Sequence, residues 1–184
     1  MKKQTLISPV LLGIAFSFTS VINAQNIVEK GSVLFNAGAG IGNEYNSNYY
    51  KSALGTKAAL EVGMWQAGPG VITLGGQVGG TFSNGGGVLA NYKTHTFIAG
   101  GRSAWHHGWN VNGLDTYAGL STGAGFNQYS YTNNENVKIK QNEVIPVFGG
   151  FVGVSYFITP SFGINVEAGR DITQIQGGIV LKIK

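Results

Sequence analysis

The sequence predicts an all-β fold: an eight-stranded antiparallel up-and-down transmembrane β-barrel. Three observations predict it. Of 184 residues only 11% are charged and 30 are glycine, against about 25% charged and about 7% glycine in an ordinary soluble domain. No run reaches the roughly 18 uninterrupted apolar residues that mark a membrane-spanning helix. From Ser32 onward the chain instead alternates apolar with small or polar residues. That is the pattern of strands with one face in lipid and the other in a narrow lumen. The composition excludes a disordered chain, which needs high charge and low hydrophobicity, and collagen, which needs glycine at every third position.

Residues 1–24 stand apart. Lys2 and Lys3 precede the apolar stretch 6–18, and Ile22-Asn23-Ala24 ends on a small residue, the layout of a secretory signal peptide. The apolar part is about 13 residues, short of the roughly 20 that a spanning helix needs. The expected organisation is a signal peptide over 1–24 and a barrel domain over 25–184. Losing the two lysines lowers the formal charge from +4 to +2, so the basicity implies no nucleic-acid partner. The absence of cysteine excludes a disulfide scaffold, a thiolate nucleophile and thiolate metal sites.

Each strand follows from its alternation. The first, 32–42, turns Val33, Phe35, Ala37, Ala39 and Ile41 outward. The second, 57–66, turns Ala58, Leu60, Val62 and Met64 outward and Glu61 inward, with Trp65 also phased inward. The third, 71–82, sets Leu74 and Val78 against Thr73, Gly75 and Gln77. The fourth, 93–106, sets Phe97, Ala99 and Trp105 against Thr96, Gly100 and Arg102. In the fifth, 114–129, Ala118, Leu120 and Phe126 oppose Asp115, Ser121 and Asn127. The sixth, 144–157, is apolar on both faces, and Phe148, Val152, Val154 and Tyr156 are taken as outward. The seventh, 162–169, turns Ile164 and Val166 out and Glu167 in, and the eighth, 175–184, turns Ile179, Leu181 and Ile183 out and Lys182 in.

The connections differ by side. Ala67-Gly68-Pro69-Gly70, 107–113 and Ile158-Thr159-Pro160-Ser161 are short, whereas 43–56, 83–92 and 130–143 are longer and polar. Short periplasmic turns and long extracellular loops have this asymmetry, which puts both termini on the periplasmic side; the link 170–174 is a short exception. Phe35, Trp65, Trp105, Trp109, Tyr117, Tyr156, Phe157 and Phe162 fall at the periplasmic ends of their strands. Phe82, Tyr92, Phe97, Phe126, Tyr129 and Phe148 fall at the extracellular ends, and together they suggest two interfacial aromatic belts.

In pattern and size, residues 25–184 resemble the small eight-stranded bacterial outer-membrane barrels of the OmpX and OmpA membrane-domain type. The resemblance implies an integral, monomeric protein of a Gram-negative outer membrane, surrounded by outer-membrane lipid and lipopolysaccharide. It also implies insertion by the barrel-assembly machinery. The final segment Gly177-Gly178-Ile179-Val180-Leu181-Lys182-Ile183-Lys184 looks like the C-terminal signal which that machinery reads, although it ends in Lys184 where the commonest version ends in an aromatic residue.

Three places are candidates for function. Glu61, Arg102 and Glu167 lie roughly four to six residues from the periplasmic ends of their strands. At about 3.3 Å per residue they reach a similar height. A lumenal salt-bridge cluster that plugs the barrel is expected, the alternative being separately hydrated charges in a wet lumen. His106-His107 reads as a solvated turn pair rather than a metal site, and no metal, cofactor or catalytic group is expected. His95 and Ser103 share a face but lie about 26 Å apart along an extended strand, too far for a catalytic dyad. The segments 43–50 and 129–134 mix Tyr, Asn and Ser, a composition that serves surface recognition or simply solubility. The function expected is structural, or surface interaction with a ligand through the loops. A lipid-modifying enzyme acting on lipid A acyl chains and a narrow conduit for small or apolar solutes are the alternatives.

Overall fold

In the computed structural model, residues 26–42, 53–87, 90–132 and 138–184 are described, with the backbone alone for 84–87, 90–92, 131, 132 and 138. The expected signal peptide, the loop 43–50 and residues 133 and 134 lie outside the described residues.

The strands are β1 (Val33–Ile41), β2 (Leu54–Ala67), β3 (Gly70–Gly87), β4 (Ala90–Gly108), β5 (Leu114–Thr132), β6 (Lys138–Thr159), β7 (Phe162–Arg170) and β8 (Ile175–Lys182). Each pairs antiparallel with the next, and β1 pairs with β8 to close the ring. A one-residue slip would exchange every inner and outer side chain, so the alternation in the sequence fixes the register tightly. Leu60, Leu74, Leu120, Phe148, Val152, Ile164 and Ile179 are exposed on the outside, while Lys57, Glu61, Arg102, His106, Asp115 and Glu167 are buried inside. The sixth strand, apolar on both sides, presents Phe148, Val152, Val154 and Tyr156 outward.

The ring is taller on one side. β3 to β6 run 18 to 22 residues, whereas β7, β8 and β1 run 9, 8 and 9. The segments 83–92 and 130–143, expected as loops, are largely strand: the β3–β4 ladder runs to Gly87↔Ala90 and the β5–β6 ladder to Thr132↔Lys138. Where both faces of a hairpin are wet, the hydrogen-bond ladder continues but the apolar alternation that reveals it stops.

Two other expectations need correction. Trp65 is outward and 53% exposed, because a bulge between Gly63 and Trp65 breaks the β2–β3 register; the extra residue reverses the phase beyond it. Tyr117 and Phe157, expected in an interfacial belt, are buried in the lumen. Tyr117 there meets Phe151 edge-on, with ring centroids 6.2 Å apart.

Both ends of the lumen are filled. At the end bearing the short turns, Val28 packs with Leu34, Phe157 and Val180. The Lys182 Nζ donates to the Ile27 carbonyl at 2.7 Å, and Asn26 donates to the Pro69 carbonyl and accepts from the Gly108 N–H. The chain ends near the same place, where the Val33 N–H donates to the Lys184 carbonyl at 2.9 Å. At the other end the short β7–β8 link bends inward. Asp171, Ile172 and Thr173 are buried, and Ile172 packs against Ile98 and Val147.

Candidate functional site

Between the two plugs lies a network of buried charges contributed by β2, β4, β5, β7 and the β7–β8 turn, with polar partners from β3 and an aromatic ring from β6. Arg102 on β4 is its hub: Nε lies 3.0 Å from the Glu61 carboxylate, off the direction of the N–H bond, and Nη2 donates to Glu167 at 3.0 Å. Below the guanidinium lies the Phe151 ring, 4.0 Å from Cζ to the ring centroid. Lys57 on β2 donates to both Glu167 and Asp171, the latter at 2.8 Å. Asp171 also accepts from Gln77 and Ser121, each at 2.8 Å. The Glu61 carboxylate accepts from the Thr73 hydroxyl at 2.6 Å and lies 3.9 Å from His106 Nε2, while His106 Nδ1 lies 2.8 Å from Asp115. Tyr117 stacks on His106, donates to Glu167 at 3.2 Å and accepts from Asn165 at 3.3 Å.

Two glycines make room for these contacts. In one lateral row, Glu61 pairs with Gly75 and Gly75 pairs with Arg102. The gap at Gly75 lets the guanidinium cross its neighbour strand to the carboxylate; a Cβ there would stand 1.9 Å from the Leu60 carbonyl oxygen. In another row Gly153 separates Tyr117 from Glu167, and a Cβ at Gly153 would stand 2.2 Å from the Tyr117 ring. Glycine at these inward slots turns lateral rows into space for long polar side chains.

Asp171, in the turn, feels two opposing influences. Burial pushes its carboxyl up, but the Lys57 ammonium and the donors on Lys57, Gln77 and Ser121 outweigh that and hold it below its ordinary range.

The structure places Glu61, Arg102 and Glu167 in one cluster, linked through Arg102. It adds Lys57, His106, Asp115 and Asp171, which the sequence reading did not assign to the cluster. Lys57 shares its parity with Glu61, and His106 shares its parity with Arg102, so the signal for both was present. His106 is not a solvated turn residue: it lies on β4 with 3% exposure. Its neighbour His107 stacks on Trp105, with centroids 5.4 Å apart. Asp171 had no such signal, because alternation says nothing of a turn that folds inward. Lys182 lies apart from the cluster, on the plug at the short-turn end.

On the outside, His95 packs edge-on against Phe82 at 5.4 Å and Ser103 donates to the Thr73 carbonyl at 2.7 Å. Among the described residues no group of three or more His, Asp or Glu side chains has the arrangement of a metal site.

No protein-family model matches this chain, and no curated protein is detectably similar to it. Among solved structures it is similar to the attachment invasion locus protein Ail of Yersinia pestis, at 12% identity over 83% of this chain and 95% of that chain, with a TM-score of 0.47. Ail is also known in complex with the heparin analogue sucrose octasulfate. Neisserial surface protein A is similar at 12% identity over 83% of this chain and 94% of that chain, with a TM-score of 0.46. At such identity and superposition the likeness adds nothing on function, and the closed eight-stranded barrel rests on its own strand register.

Proposed function

We propose that this chain is an integral outer-membrane barrel with a plugged lumen, acting as a structural element or as a surface-interaction protein rather than as an enzyme. One observation carries the reading: the barrel is inverted relative to a soluble one. Its buried interior holds Lys57, Arg102, Glu61, Glu167, Asp115 and Asp171, while leucine, phenylalanine, valine and isoleucine cover its exterior. A water-facing barrel needs the reverse, whereas a lipid-facing exterior accounts for every one of these apolar side chains. The lipids around it, lipopolysaccharide included, are then its first partners. β8 would engage the barrel-assembly machinery, the closed ring would stand as a monomer, and both chain ends would lie on the periplasmic side.

The plugs argue against a conduit. Ile172 with Ile98 and Val147 at one end, and Val28 with Leu34 and Phe157 at the other, leave the lumen filled by side chains, as expected for eight strands. Against a lipid-modifying enzyme stands the separation of His95 from Ser103 along β4. The extended hairpins β3–β4 and β5–β6 project from the tall side and would carry surface contacts. Gel migration of the membrane fraction tests the membrane reading. A folded barrel runs at a different apparent mass unboiled than boiled, and recovery in the soluble periplasm without a shift would contradict it.

A further inference from the structure

We propose that the outer face of β4–β6, above the apolar belt, binds a phosphorylated, multiply acylated saccharolipid of the outer leaflet. The inference rests on the membrane reading and names the lipid that this face holds. The register stacks three rows of outward side chains there. The lowest row is apolar, with Phe97 opposite Phe126 and Phe126 opposite Val144. The next is neutral and hydrogen-bonding: His95 stands opposite Gln128 and Gln128 opposite Asn142. The uppermost is cationic, with Lys93 opposite Ser130 and Ser130 opposite Lys140.

The two lower rows, with Phe82, border a groove of about 530 Å³. Its apolar floor suits an acyl chain. The imidazole and two amides above it suit the ester and hydroxyl oxygens where chains join a sugar. The lysines lie two strands apart, about 10 Å between backbones, so two flexible ammonium groups can converge on one phosphate. Glu143 also borders the groove, but it alternates with Asn142 and Val144, and its carboxylate belongs to the opposite face. A two-chain phospholipid would leave the middle row without sugar hydroxyls to bind. A free phosphate would leave the apolar groove unused.

The test is native mass spectrometry of the protein purified from membranes in zwitterionic detergent. The probes are diphosphoryl lipid A, the same lipid stripped of phosphate, phosphatidylglycerol and inorganic phosphate. Diphosphoryl lipid A should be retained over all three others. The Lys93→Gln/Lys140→Gln variant should bind it about fivefold less tightly for each lysine removed, and Phe97→Ala/Val144→Ala should weaken it as well. Lys30→Gln, which removes the same charge at the other end, should change nothing. Equal binding by the double-lysine variant overturns the inference, as does equal retention of phosphatidylglycerol or of phosphate alone. Failure of the membrane reading looks different: the protein would not be recovered from membranes as a heat-modifiable band.

Discussion

Arg102 sits where its charge has nowhere else to go. It is 2% exposed, held between Glu61 and Glu167 and stacked over Phe151. Removing one member of a buried ion network strands the others, at about 3–5 kcal/mol. Arg102→Ala should therefore destabilise the folded barrel by about that much in urea unfolding from lipid vesicles, and unchanged stability would mean the carboxylates are solvated independently. Gly75 is the second sensitive position. Gly75→Ala drives a Cβ into the Leu60 carbonyl and pushes β2 from β3, so a loss of about 1–3 kcal/mol is expected. The carboxyl of Asp171 is held below its ordinary value of 3.8 in the fold, against the pull of burial. Its ion pair therefore stabilises fully above that value, and the contribution fades as the pH falls through the lower, folded one. Asp171→Asn should cost stability near pH 7 and progressively less toward about pH 2. An equal cost at both ends of that range would contradict the sign.

At the scale of elements, what was legible and what was not divides on a physical line. All eight strands and the inner or outer choice on nearly all of them follow from period-two alternation, because a lipid-facing side and a crowded lumen impose different side chains. Trp65 departs because the register breaks at Gly63, and a bulge leaves no mark on composition. The upper ends of β3 to β6 read as loops because the outward residues there turn polar, so the ladder has no apolar signature. The β7–β8 turn is the largest addition: a link that looked merely short is the plug of one end, through Ile172 against Ile98 and Val147. Ile172→Ala should cost about 2–5 kcal/mol, the range for emptying a packed site. A loss under about 0.5 kcal/mol in the same unfolding experiment would mean that the turn hangs free of the barrel.

For the whole molecule, the low charge and abundant glycine of the sequence become two opposed environments separated by one strand thickness. Glu61, Arg102 and Glu167 could be found by parity and height alone, whereas the full network needed the ring to close, since it joins β2 to β7 across the lumen. The exterior is the more decisive half. Leu120 on β5 is 72% exposed and about 15 Å from the short-turn end, near mid-height of an apolar band of about 25 Å. On a soluble protein an exposed leucine exchanged for arginine changes stability by less than about 0.5 kcal/mol. In lipid, an arginine at mid-depth costs about 2–4 kcal/mol. Reversible urea unfolding of Leu120→Arg in phospholipid vesicles therefore tests the central claim most directly. A loss of about 2–4 kcal/mol is predicted, and a loss below about 0.5 kcal/mol would mean that this face meets water.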